Sequence, residues 1–144
     1  MNKFVAVLAL MVVFSLAVIA GDKKETSKEK GGITTLKGYV VDASCAKDMV
    51  GKEDVMTRAA NHTKKCALEE MCASSGYGVF SDGKWYKFDE AGDKQAKELV
   101  DKTTKTKEIA VEVKGKKGDG TFAVTSIKEQ KGIKTAKKTK KSKA

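Results

Sequence analysis

The chain has 144 residues, with 29 Lys and Arg against 19 Asp and Glu, three Cys, one His, one Trp and no Pro. That length accommodates one small domain and excludes a two-domain enzyme. The formal charge of +10 is uneven: residues 131–144 hold seven Lys and no acid, whereas residues 33–130 carry 17 basic and 16 acidic side chains. The part able to fold is close to neutral, and it lacks the run of cations along one surface from which phosphate-backbone binding draws its affinity. Nucleic acid is therefore not expected as a partner.

Asn2 and Lys3 precede an apolar run from Phe4 to Ala20 in which Ser15 is the only polar side chain. The run counts 17 residues, short of the roughly 20 a membrane helix needs, and it ends at Val18-Ile19-Ala20 before Gly21, the small-residue pattern of a signal-peptidase site. Residues 1–20 are read as a cleaved signal, with no membrane span after cleavage and a periplasmic or extracellular mature chain. Residues 21–32 are polar and read as a linker.

In the domain expected over residues 33–130, alternation places Leu36, Gly38 and Val40 on one face of a first strand. A helix is expected from about Glu53 to Glu70, with Val55, Ala59, His62 and Cys66 on its less polar stripe. Tyr77 to Ser81 and Lys84 to Phe88 flank Asp82-Gly83, a pair suited to a tight turn with positive φ, and so predict a hairpin. A second helix over about Gly92 to Lys102 would bury Ala96, Leu99 and Val100, with Asp93–Lys97 and Glu98–Lys102 charge pairs on its surface. Ile109, Val111 and Val113 mark a fourth strand, and Thr121 to Lys128 a fifth after Gly118-Asp119-Gly120.

This order predicts a mainly β chain with two helices. The expected architecture is a small five-stranded OB-like barrel with a helical insertion after strand 1 and a helix between strands 3 and 4. The competing arrangement is an open α+β sheet with both helices on one face. Residues 131–144, with seven unopposed Lys, are expected to be a disordered tail.

Cys45, His62, Cys66 and Cys72 lie within 28 residues, as C-x16-H-x3-C-x5-C. On one continuous helix His62 and Cys66 would face the same way, within reach of a single ion. Cys72 joins them only if the helix ends near Met71, since six residues turn an ideal helix by about 240°. Three uses remain open. Convergence of all four makes a tetrahedral Cys3His site for zinc or copper(I), with haem iron the weaker case. In an oxidising compartment two of the cysteines instead form a disulfide and leave a spare thiol. A thiol-redox enzyme is the third possibility and needs a cysteine ionised near neutral pH.

Asp42, Asp48, Glu69 and Glu70 are taken as solvated carboxylates, and neither a G-x-S-x-G elbow nor a phosphate-binding glycine loop is present. Tyr77, Trp85 and Tyr86 are candidates for stacking a sugar or another ring. In the tail, Lys134, Lys137, Lys138, Lys140, Lys141 and Lys143 are candidates for contact with acidic envelope polymers or lipids.

Gly38-Tyr39-Val40-Val41-Asp42 with Cys45, His62-Thr63-Lys64-Lys65-Cys66-Ala67 with Cys72, Ser75 to Phe80, and Asp82 to Asp89 form a string of motifs. Over about Leu36 to Glu129 the string resembles small exported bacterial proteins of unknown function that combine a G-x-x-x-D-x-x-C start, an H-x3-C-A segment and an OB-like barrel. The resemblance implies that Cys45, His62, Cys66 and Cys72 belong to one site, and it supplies no activity. Together these observations lead to the expectation of a non-enzymatic exported binding or accessory protein. Its Cys/His cluster is a structural disulfide or a metal site, and an envelope-binding role through the tail is the alternative.

Overall fold

The computed structural model describes residues 32–133. The expected signal, nearly all of the linker and the six Lys from Lys134 to Lys143 lie outside the described residues. β1 (Thr34–Asp42) is the middle strand of a five-stranded antiparallel sheet. It pairs on one side with β2 (Tyr77–Ser81) and on the other with β4 (Ala110–Lys117). β3 (Lys84–Lys87) and β5 (Phe122–Glu129) form the edges, giving the order β3-β2-β1-β4-β5. The hairpin between β2 and β3 turns at Asp82 and Gly83, whose φ angles of 50° and 78° are those the Asp-Gly pair anticipates.

The sheet is not closed into a barrel. Among the described residues one isolated parallel bridge, Phe88 to Phe122, joins the end of β3 to the start of β5, with the Asp89 N–H donating to the Phe122 carbonyl at 3.2 Å. The open α+β sheet of the competing arrangement is found, but its helices are not on one face: they cover both.

α5 (Glu90–Lys102) buries Ala96 and Val100 over Leu36, Val40, Val79, Val111, Val113, Phe88 and Phe122. The opposite face, built from Tyr39, Val41, Phe80 and Ala110, is covered by Ala46 of α1 (Ala43–Met49) and by Val55 and Ala59 of α2 (Val55–Asn61). A middle strand covered on both faces buries consecutive side chains, which is why Gly38 to Asp42 are all buried although the alternation of Leu36, Gly38 and Val40 suggests one buried face.

Gly38 is required by packing. A β-carbon there would stand 1.9 Å from the Phe80 carbonyl oxygen of the paired strand. α5 starts two residues earlier than expected because Asp89 caps it, its Oδ1 accepting the Gly92 N–H at 2.9 Å and the Val124 N–H at 3.2 Å. Its surface pairs are Glu90–Lys94 and Glu98–Lys102, while Asp93 turns inward and accepts the Tyr77 N–H at 2.7 Å.

The insertion departs most from expectation. Instead of one helix over Glu53 to Glu70 it contains α2, α3 (Lys64–Leu68) and α4 (Glu70–Ser74), preceded by the unanticipated α1. The breaks lie at His62 and Thr63, with ψ of 128° and 148°, and at Glu69, with ψ of 139°. Thr63 restarts the chain as a cap, accepting the Cys66 N–H at 3.1 Å. Among the described residues no helix is long and apolar enough to cross a membrane.

Candidate metal centre

The breaks in the insertion place the cysteines. Each sits three residues after the residue that opens a short helix: Cys45 after Asp42, Cys66 after Thr63 and Cys72 after Glu69. Asp42 Oδ1 accepts the Cys45 N–H at 2.8 Å, and Thr63 makes the same bond to Cys66. Sheet and helices hold these turns in place. The Ala43 N–H donates to the Gly76 carbonyl at 2.8 Å, the Ser44 N–H to Ser75 Oγ at 3.0 Å, and Ser75 Oγ to the Cys72 carbonyl at 2.6 Å, tying α1 to the end of α4. The buried Tyr77 hydroxyl donates to the Ala67 carbonyl at 2.7 Å and fixes α3 against β2, one residue from Cys66.

The result is a compact donor set. The sulfurs of Cys45, Cys66 and Cys72 and a carboxylate oxygen of Asp42 all lie within 4.8 Å of one another. Cys45 Sγ and Cys66 Sγ are in contact at 3.5 Å, well beyond the bonded distance of about 2.05 Å, and all three cysteines are free thiols. The expected disulfide is thus not formed. The thiols are partly exposed, while Asp42 is fully buried.

His62 is not a member of this four-atom set. Because the chain breaks at His62, it and Cys66 do not share a helix, and the geometry that would aim both at one ion is lost. His62 instead packs behind Asp42, with Nε2 2.9 Å from Asp42 Oδ2 and its side chain only 4% exposed. The two side chains form a close buried pair, and among the described residues the other ring nitrogen, His62 Nδ1, is buried without a hydrogen-bond partner.

The electrostatics suit bound cations better than free nucleophiles. Burial pushes the Cys45 thiol well above its ordinary value, with the neighbouring Cys66 and the Asp42 charge acting in the same direction. Cys72 is pushed up to about 11, by burial first and then by Asp42 and Cys66, with Cys45 acting in the opposite direction. Burial also acts to raise Asp42, but His62 and the Cys45 N–H outweigh it and hold the carboxyl below its usual range. Cys45 and Cys72, kept protonated, are poor nucleophiles, which weighs against either serving a thiol-redox reaction, whereas a soft cation displaces such protons and turns thiols into ligands.

Asp42 is the residue that sequence reasoning assigned wrongly, as a solvated carboxylate. The legible signal was its place three residues before Cys45, repeated in Thr63-x-x-Cys66. Asp48, Glu69 and Glu70 are exposed, as expected.

The three stacking candidates separate. Tyr77 is buried and its hydroxyl engaged, so it is unavailable to a ligand. Trp85 is half-buried against Phe80, ring centroids 4.9 Å apart. Tyr86 packs edge-on to Phe122 at 6.2 Å with the Lys117 ammonium 5.6 Å over its ring, beside a shallow cleft of about 250 Å³ bounded by the Gly118–Thr121 turn.

Comparison with protein-family models, with curated proteins and with solved structures finds no match. The donor set itself therefore defines the class to which the site belongs, a thiol-rich cluster able to hold a metal ion.

Proposed function

We propose that this chain is an exported, non-enzymatic accessory protein that holds a thiophilic metal ion through Cys45, Cys66 and Cys72. The observation that carries this function is the convergence of three thiols, from three separate short helices, into a space where their sulfurs lie within 4.8 Å of one another. Thiolate sulfur selects zinc or copper(I) over hard cations such as magnesium and calcium. Export rests on the apolar segment Phe4 to Ala20 and its small-residue end. An OB-type ancestry of the sheet is supported by the parallel bridge from Phe88 to Phe122, which joins the two edges that a barrel would pair.

Three ligands from separate elements make the ion a staple. It would tie the start of α1 to α3 and α4 on a chain whose core is small. Competition of the purified chain against a chromophoric chelator, for zinc and for copper(I), tests the proposal. One equivalent bound, with binding lost in Cys66→Ser, is the expected result. Binding that survives in Cys45→Ser, Cys66→Ser and Cys72→Ser alike contradicts it.

A further inference from the structure

We infer that Asp42 is the fourth ligand of this centre, held from behind by His62, and that it fits the site to four-coordinate zinc over copper(I); the inference rests on the metal-binding function proposed above. Two independent observations lead to it. A carboxylate oxygen of Asp42 lies in the same 4.8 Å cluster as the three sulfurs. Separately, Asp42 is fully buried beside those sulfurs, its Oδ1 accepting the Cys45 N–H and its Oδ2 facing His62 Nε2 at 2.9 Å.

A carboxylate buried in contact with three thiols costs free energy that a cation held between the four groups offsets. Capping α1 does not account for it, because a cap uses one acceptor, and Asn or Ser supplies that without burying a charge.

The dimensions agree with a tetrahedral ion. Zinc–sulfur bonds of about 2.3 Å set ligand atoms about 3.8 Å apart along the edges of a tetrahedron. The Cys45–Cys66 separation of 3.5 Å and the 4.8 Å upper bound across the set bracket that edge, so modest side-chain rotation brings all four donors to one ion. The chemistry of the fourth donor then discriminates between ions. Zinc accepts a mixture of sulfur and carboxylate oxygen, whereas copper(I), a soft ion, is satisfied by the thiolates and gains little from oxygen. Four protein ligands leave no open position, which is the arrangement of a structural and not a catalytic zinc site.

His62 is a positioning residue. Its ring, 2.9 Å from Oδ2 and nearly buried, restricts the rotation of the carboxylate without joining the donor set.

Asp42→Asn is the discriminating variant, because it keeps the Oδ1 cap on α1 while removing the anionic oxygen. Zinc and copper(I) affinities are measured separately by chelator competition, with the d–d spectrum of the cobalt(II)-substituted chain reporting geometry. His62→Ala is expected to weaken zinc by about 10–100-fold, the usual effect of losing a supporting partner, and Asp42→Asn by more than that. Copper(I) affinity should hardly change in either, which also shows that the variants are folded, and the intense tetrahedral cobalt spectrum of the parent should be lost in Asp42→Asn.

Unchanged zinc affinity in Asp42→Asn, with copper(I) still bound, overturns the fourth-ligand assignment and leaves the thiol site standing. Failure of the parent chain to bind either ion overturns the metal function itself. If Asp42→Asn is unfolded, Asp42→Ser, which keeps a capping hydroxyl, is measured in its place. Loss of fold and of copper(I) uptake in both variants assigns Asp42 to the fold and overturns the inference.

Discussion

The hydroxyl of Tyr77 joins the sheet to the candidate site, and Tyr77→Phe removes it with little change in volume. Tyr77 is 1% exposed and donates to the carbonyl of Ala67, itself 1% exposed, at 2.7 Å. The variant loses this bond and leaves a buried carbonyl without that donor, a cost of about 1–3 kcal/mol. In a domain of about 100 residues each kcal/mol lowers Tm by roughly 4–8 °C, so a fall of about 4–24 °C is expected at neutral pH.

Alkaline pH gives a second, independent signature. Burial, reinforced by the charges of Asp42, Asp101, Asp93 and Cys72, pushes the Tyr77 hydroxyl from its ordinary value of 10.0 up to about 12. With the folded value above the unfolded one, the contribution is complete below pH 10 and is lost as pH rises from there towards 12. Thermal unfolding of both proteins, followed by circular dichroism between pH 7 and 12, should show their difference in Tm shrinking over that alkaline window. Equal Tm at pH 7, or curves that stay parallel through the alkaline range, would refute the claim that this buried bond anchors α3.

Other consequences can be measured separately. Gly38→Ala brings a β-carbon to 1.9 Å from the Phe80 carbonyl oxygen, backbone that cannot move without breaking the β1–β2 ladder, and should leave no soluble folded protein when expressed beside the parent. Asp89→Ala removes the acceptor for two N–H groups, Gly92 in α5 and Val124 in β5, and should lower stability by about 1–2 kcal/mol, seen as a lower urea midpoint with an unchanged slope. Deleting residues 134–144 removes six Lys, each worth roughly 1 kcal/mol near an anionic surface. At low salt, sedimentation with anionic vesicles should fall sharply while the far-ultraviolet spectrum of the domain is unchanged.

Elements governed by local rules were legible in the sequence. Alternation located the strands, and Asp82-Gly83 fixed the hairpin because few other pairs adopt positive φ at both positions. Closure of the sheet was not legible, because it depends on how the strand edges meet over a long separation, and here they are joined by the isolated bridge from Phe88 to Phe122 rather than by a ladder.

The helical insertion misled for a physical reason. Val55, Ala59, His62 and Cys66 fit one helical stripe, yet Thr63 can cap a new helix, and that local bond outweighed the period. The same break separates His62 from Cys66 and sends it to Asp42, so three of the four expected site residues are brought together and the fourth stands behind them. Asp42 was passed over because a carboxylate is ordinarily on the surface; its place three residues before Cys45 was the legible signal, and its burial beside three thiols makes it a candidate.

Native mass spectrometry of the mature chain, isolated from an oxidising compartment without added metal or reductant, tests the central claim most directly. The account predicts one bound metal ion per chain with Cys45, Cys66 and Cys72 all reduced. A metal-free chain lighter by two hydrogens, carrying a disulfide between two of those cysteines, would contradict it.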